Sequence, residues 1–213
     1  MEVKVKNILA VGGSKADVLA FDEKFKGKAA KWHINKIYAA KLKSEEKTKA
    51  LQSYEEEYAK LPPAYCLNAL HPIPEDVIEG LDETIREWCN NSWGPSSDML
   101  DFHEAREAND TDQCYGEFGM MYAFDTANSP AYRWIESISE DFPTLRFSLK
   151  YTEEGFERAG EFEFVPAVIT FIQEYQWSDL PYVDQPWLYV KDFRQFILSN
   201  FKADPLDVEM RDI

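Results

Sequence analysis

Cysteine, histidine and long apolar runs are scarce in this chain of 213 residues, and each scarcity excludes something. The three cysteines, Cys66, Cys89 and Cys114, are odd in number and widely separated, with no C-x-x-C pair and no histidine at ligand spacing. That pattern excludes a zinc ribbon and a disulfide framework, and it fits buried, reduced thiols. The histidines, His33, His71 and His103, fall in three different segments, none beside a serine or cysteine in a nucleophile motif. Cys66 with His71 is the one pair close in sequence, and His71, between a short strand and two prolines, is more simply a turn residue. No apolar run approaches the roughly 20 residues of a membrane span. The opening MEVKVKNILAVGG lacks the apolar core and cleavage site of a secretory signal, so a cytoplasmic protein without membrane contact is expected. Neither G-x-G-x-x-G nor G-x-x-x-x-G-K-[ST] occurs. Gly12-Gly13-Ser14 is therefore a turn and helix cap rather than a phosphate cradle, and no cofactor or metal is expected.

Arginine is missing altogether from residues 1–63, which hold 13 lysines and 9 acids, whereas residues 64–213 hold 10 basic and 30 acidic residues. The whole chain carries a formal charge of -16. Such a field repels nucleic acid and membrane surfaces from most of the molecule and steers basic partners toward it. Solubility alone is the plainer explanation.

What is present is a core-sized apolar content, 45% hydrophobic and 15% aromatic, enough for one α+β domain spanning 1–213. VKVKNILAV alternates and then turns apolar, as a strand entering a sheet does, and Ser14 with Asp17 opens a helix carrying Val18, Phe21 and Phe25. Lysine, alanine and glutamate dominate 28–62, a helical insertion of two amphipathic helices hinged near Ser44, with stripes Ile34, Ile37, Tyr38, Leu42 and Leu51, Tyr54, Tyr58, Leu61. AYCLNAL predicts a short strand, and PEDVIEGLDETIREWCNN a helix whose inward stripe is Val77, Ile78, Leu81, Ile85 and Trp88. DMLDFHEAREA and QCYGEFGMMYAFDTA predict two strands, the second central because both its faces are apolar. Ser129 and Pro130 predict a helix start, LRFSLKY and EFEFVPAVITF two paired strands, and 175–213 a C-terminal extension ending in the amphipathic helix YVKDFRQFILSNF. This order predicts a ferredoxin-like antiparallel sheet with helices on one face, built on a split β-α-β core.

Candidate chemistry is thin. Asp98, Asp101 and Glu104 share one segment, as carboxylates gathered for a cation or for acid-base work would. On a strand, however, Asp98 and Asp101 point to opposite faces, so a solvated surface is expected. Glu153 and Glu154 beside Tyr151 read as exposed turn carboxylates.

Three stretches, CLNALHPIPEDV, WCNNSWGPSSDML and FDTANSPAYRWIESISEDFPTLRFSLKYTEEGFERAGEF, together resemble the phage- and plasmid-associated family that carries the YubB-type ferredoxin-like domain. Asn7 and Gly12 are similar to its first strand and turn, and Asn68 with Pro72-Ile73-Pro74 to its second strand end. Trp93 and Gly94 match its W-G-T-K-W element, with Pro95, Ser96 and Ser97 replacing Thr-Lys-Trp. Phe124, Thr126 and Pro130 match F-x-T-x-W-x-P-P, with Asn128 in place of tryptophan. Tyr151, Glu153, Gly155 and Gly160 match the last element. The resemblance spans 3–26 and 64–164 and implies the fold, but no catalytic role.

Three functions are weighed. The first is a non-catalytic accessory protein of a phage or mobile element in the bacterial cytoplasm. It would bind a protein partner with a basic surface, with its acidic body imitating nucleic acid. The second is a small-ligand-binding protein or enzyme with a pocket near Trp93, Gly94, Asp98, Asp125, Thr126, Tyr151 and Glu153. The third is nucleic-acid binding through the lysine-rich helices 28–60, disfavoured by their lack of arginine and of interleaved aromatics.

Overall fold

The computed structural model describes residues 3–31, 37, 40, 43–109, 116–153, 158–165 and 168–176. Strand β1 (Lys4–Gly13) leads into α1 (Lys15–Lys24), whose first turn is capped by the Ser14 hydroxyl accepting from Asp17 N at 3.2 Å. After β2 (Lys26–Gly27), α2 (Ser44–Lys60) and β3 (Ala64–Tyr65) come a 3-10 turn at Leu67–Ala69 and the helices α3 (Glu75–Ile78) and α4 (Asp82–Ser92). Strands β4 (Asp101–Glu107) and β5 (Phe118–Ala127), helix α5 (Tyr132–Ser139) and strands β6 (Arg146–Glu153), β7 (Arg158–Val165) and β8 (Val168–Gln176) follow.

Six strands form one sheet in the order β4-β5-β1-β6-β7-β8, every neighbouring pair antiparallel. The connection β1-α1-β4 leaves room for β5 between its strands, and β5-α5-β6 leaves room for β1. Two interlocked split β-α-β units result, which is the ferredoxin-like arrangement expected from the sequence, extended on one edge by β7 and β8.

Strand alternation sorts the residues between the two faces. Leu9 and Val11 of β1, Met120, Tyr122 and Phe124 of β5, Phe147 and Leu149 of β6 and Phe164 of β7 turn toward the helices. There they meet Val18 and Phe21 of α1, Ile85 and Cys89 of α4, and Trp134, Ile135 and Ile138 of α5. Phe21 is the hub, with its ring 5.2–6.0 Å from the rings of Phe25, Tyr122, Phe142 and Phe147, three of them edge-on. Asp22 brings a charge to this aromatic core, and both its oxygens are met. Asp22 Oδ1 accepts from Tyr65 and Tyr122 hydroxyls at 2.8 and 3.2 Å, and Oδ2 from Lys26 Nζ at 2.6 Å.

Five expectations change. AYCLNAL contributes only β3, which pairs with β2 outside the main sheet. The chain turns there because Asn68 bonds Lys28 O and Ile73 N through its side chain, and Asp98 takes the amide of Leu67. The helix expected over 74–91 breaks at Glu79-Gly80-Leu81 into α3 and α4, which turns Leu81 outward. Ser129 does not cap α5. Its hydroxyl donates to Pro130 O, and the Ala131 amide is taken by Asn7 Oδ1 at 3.3 Å. EFEFVPAVITF divides into β7 and β8 around 166–167, and β8 runs to Gln176, beyond the start given to the C-terminal extension. Of the insertion, its second helix is α2, while the first lies almost wholly outside the described residues, as does the expected helix YVKDFRQFILSNF. Among the described residues no helix is long and apolar enough to cross a membrane.

Candidate functional site

The residues singled out from the sequence do not converge on one pocket. Several of them hold the fold. Asn7, 1% exposed on the covered face of β1, donates through Nδ2 to Thr126 Oγ1 at 2.9 Å and to Val5 O at 3.0 Å, while Oδ1 receives the Ala131 amide. Thr126 in turn donates to Ser129 O at 2.7 Å. This buried network ties β1, β5 and the entry to α5 together, so the F-x-T element is a joint. Asn128 completes it at φ 66°, a left-handed position that asparagine accepts, donating its amide to Val3 O at 2.7 Å and accepting from Val3 N through its side-chain Oδ1 at 2.9 Å. A tryptophan there would meet a steric cost that asparagine avoids. Across the sheet, Tyr151 stacks on Phe162, and Glu153 pairs with Arg158, its Oε1 2.7 Å from Nε. Gly155 lies outside the described residues.

Trp93 is fully buried. Its indole N–H donates to His71 O at 2.9 Å, its ring meets Trp88 edge-on, and its carbonyl accepts from Trp134 N at 3.1 Å. It plugs the end of the helix layer and offers no binding platform. Gly94 sits at φ 98° with the Pro130 carbonyl 2.6 Å from where a Cβ would stand, so only glycine fits.

Asp98 corrects the solvated-surface expectation. Although the residue is half-buried, its carboxylate is sealed. Oδ1 accepts from Leu67 N at 2.7 Å and Met99 N at 2.9 Å, and Oδ2 has no partner. Burial pushes its proton affinity above the ordinary carboxylate value and outweighs those amide donors. Burial, with Asp98 nearby, also pushes the thiols of Cys66 and Cys89 up to about 12. Such a thiol is the opposite of an activated nucleophile, and His71 lies stacked on Trp88, so a Cys66–His71 catalytic pair is not formed.

Asp125 alone among these residues faces the other side of the sheet. It is 1% exposed, and its Oδ2 lies 2.6 Å from Lys4 Nζ and 2.7 Å from His103 Nε2, while Oδ1 is buried without a partner. Asp101 adds a second contact to Lys4 at 3.2 Å, and these carboxylates push the Lys4 ammonium's proton affinity up. His103 reaches Asp125 from the bulge that shifts the β4–β5 register between Phe102 and Glu104, and bulges re-aim side chains in this way. A groove of about 600 Å³ passes over this cluster, lined also by Lys6, Ile8, Arg106 and Met121. The sequence pointed to Asp125 but not to Lys4 or His103, whose meeting depends on strand register and a bulge that no spacing reveals. Among the described residues no three of His, Cys, Asp and Glu come together as a metal set.

The second feature missed from the sequence lies on α3 and α4. Glu75, Asp76, Glu79, Asp82, Glu83 and Glu87 are all exposed along 75–87, with Arg86 the single base. Leu81 stands among them at 68% exposure. It occupies the N-cap of α4 without a capping bond, a position where Ser, Thr, Asp or Asn is preferred. The helix-breaking Gly80 beside it was the available signal. The lysine-rich helix behaves otherwise. Along α2 three lysines face five glutamates, Lys28 donates to the C-terminal carbonyls of Tyr58 and Ala59, and Lys31 pairs with Glu55 at 2.7 Å. These described residues form no cationic face for nucleic acid.

Residues 102–179, from β4 to just past β8, match the family described as the ferredoxin-like domain in Api92-like protein. The structure is also similar to the crystal structure of a protein api92 from Yersinia pseudotuberculosis, with a TM-score of 0.52 and 8% identity, covering 85% of this chain and 100% of that one. The family description agrees with the sheet order in assigning a ferredoxin-like α+β fold, and the likeness to the solved structure is one of fold. No curated protein matches the chain.

Proposed function

We propose that this protein is a non-enzymatic accessory protein of a phage or mobile element, acting in the bacterial cytoplasm by docking a macromolecule with a basic surface onto α3 and α4. The observation that carries this is Leu81, exposed at a cap position it does not serve, within a segment that carries six exposed carboxylates. An apolar side chain left in water within a polar rim gives a basic partner an apolar surface to bury beside its ion pairs. The negative field of the whole chain, -16, would steer a basic partner toward it and would let the ridge stand in for a nucleic-acid backbone. The phage or mobile-element setting rests on the likeness of Asn7, Trp93-Gly94, Phe124, Thr126 and Tyr151 to the YubB-type motifs.

The test compares the chain with Leu81→Asn in quantitative retention of bacterial lysate proteins at moderate salt. Basic proteins held by the former and lost from the latter support docking at the ridge. Identical retention by both, or none by either, overturns it.

A further inference from the structure

The face of the sheet away from the helices is not evenly open to water. Over β1, β5 and β4 it carries the exposed Lys6, the half-buried Ile8, Ala123 and Met121, and the groove of about 600 Å³. Over β6 and β7 the same face is closed. There the register sets Ser148, Lys150 and Thr152 of β6 across from Glu163, Glu161 and Ala159 of β7, with Ala10 of β1 on the other side of Ser148. Thr152 and Ala159 have no exposure at all, Ser148 and Ala10 are buried, and the side chains of Lys150 and Glu161 keep only 17% and 15% of theirs. A lysine and a glutamate paired on a bare sheet face stay mostly in water, because little but their own neighbours can shield them. Lys6, directly across from the fully buried Thr152, is such an exposed residue. Burial over β6 and β7 is matched by pairing, since Lys150 lies 3.9 Å from Glu161, which accepts from the Ser148 hydroxyl at 3.1 Å. The described helices do not account for the cover. Helices α1, α4 and α5 pack on the opposite face, and α2 is bonded to Lys28 and Lys31 beside the turn at Asn68.

We propose that the chain's own C-terminal segment 189–201 lies across β6 and β7 and closes this half of the face. The connections between β6, β7 and β8 are only 154–157 and 166–167, too short to reach the middle of the strands and return. The chain after β8 is long enough. Gln176 pairs with Arg158, next to the Thr152–Ala159 end of the closed patch, so 177–213 sets out from beside it. The thirteen residues from Gln176 to Tyr189 extend up to roughly 43 Å, against about 10 Å from β8 across to β6. Within the segment Val190, Phe193, Ile197 and Phe201 recur at helical spacing as one apolar stripe. Ile8, Ala10, Ala159 and the methylene stem of Lys150 give that stripe an apolar ground. Lys191 and Arg194 against Asp192 are two bases to one acid, in a chain of net charge -16, so the acidic body attracts this segment. The groove over β1 and β5 is the part of the face that the segment leaves uncovered.

Acetylation of the full chain with a lysine-reactive ester, followed residue by residue by mass spectrometry, tests this. Lys150 should react at least about tenfold more slowly than Lys6. Phe193→Asp combined with Ile197→Asp, which puts charge into the stripe and touches no described residue, should bring the two lysines within about threefold of each other. Cys66 and Cys89, both buried, should stay closed to a thiol reagent in that variant and so report an intact fold. Short-range amine cross-linking of the unsubstituted chain gives a reading that depends on no variant. Lys191 should join Lys6, on this face of the sheet, and not Lys15 or Lys24 of α1, on the other. Should the double variant open its cysteines, the cross-link decides alone. Leu81→Asn should change neither result. Equal reactivity of Lys150 and Lys6 in the unsubstituted chain, a Lys150 that stays slow in the folded double variant, or a Lys191 that does not join Lys6 overturns the proposal.

Discussion

The two faces of the sheet treat buried polar groups differently, and the contrast is sharpest where β1 and β5 pair. On the covered face Asn7 has donors and acceptors on every side, and it uses them to join two strands and a helix entry. Asp22, on α1 in the helix layer, meets two tyrosines and a lysine. On the opposite face Asp125, one residue along the chain from Thr126, keeps an oxygen with no partner. Both groups are about equally shielded from water, so exposure does not explain the difference. On the other face Asp125 is satisfied only as far as Lys4 and His103 reach, and its remaining oxygen stays buried without a donor.

Breaking the covered face should therefore cost the most. Trp134 is fully buried, its indole N–H bonds Leu67 O at 2.9 Å and its ring lies 5.1 Å from Phe25. Trp134→Ala should lower the free energy of unfolding by about 3–5 kcal/mol, read from urea denaturation. Next comes a pair of adjacent substitutions on opposite faces. Asn7→Ala strips partners from Thr126 and Ala131 and should cost about 1–3 kcal/mol, whereas Lys6→Ala should stay within about 0.5 kcal/mol. Equal losses from the two would show that the faces are not distinct in the way their hydrogen bonds indicate.

The sequence made the scaffold legible because the scaffold is periodic. Val18, Phe21 and Phe25 at helical spacing, and Met120, Tyr122 and Phe124 at strand spacing, are all core residues of the elements expected from them. Local capping at Ser14 was readable for the same reason. What was not readable depends on long-range geometry. Asn68 and Asp98 turn a would-be strand away from the sheet from more than two dozen residues apart. Asn7 replaces Ser129 as the group that meets the start of α5, from 124 residues away. His103 reaches Asp125 only because a bulge re-aims it. Trp93 and Gly94, which motif matching marked for binding, are kept by packing and a positive φ, so a motif can be preserved by the fold alone.

A third and smaller effect concerns Asp98, whose Oδ2 is buried without a partner. Asp98 is held above its ordinary value of 3.8 by burial, so the folded state grips the proton more tightly than the unfolded state does. Its contribution to stability is then fully present below 3.8 and fades as pH rises through the raised folded value. Asp98→Asn keeps an acceptor for Leu67 N and Met99 N but cannot ionise. The variant should gain in unfolding midpoint relative to the parent as pH climbs from acid toward neutrality, and parallel curves would remove burial as the dominant influence on Asp98.

The smallest expected change in stability belongs to the residue on which docking depends. Leu81 is exposed, makes no capping bond and lies on neither face of the sheet. Asparagine is among the best N-cap residues, and its side chain can accept from an amide in the first turn of α4. Leu81→Asn should therefore hold or raise stability, by at most about 1 kcal/mol, with urea denaturation as the measure. Trp134→Ala lies at the opposite extreme, since it damages the fold and every function with it. If Leu81 instead stabilised α4 through contacts in the folded chain, its replacement would lower the unfolding midpoint, and any accompanying loss of partner retention could be ascribed to the helix rather than to the surface. A stable variant that no longer retains partners separates the two, because the only thing removed is an apolar side chain that the fold leaves in water.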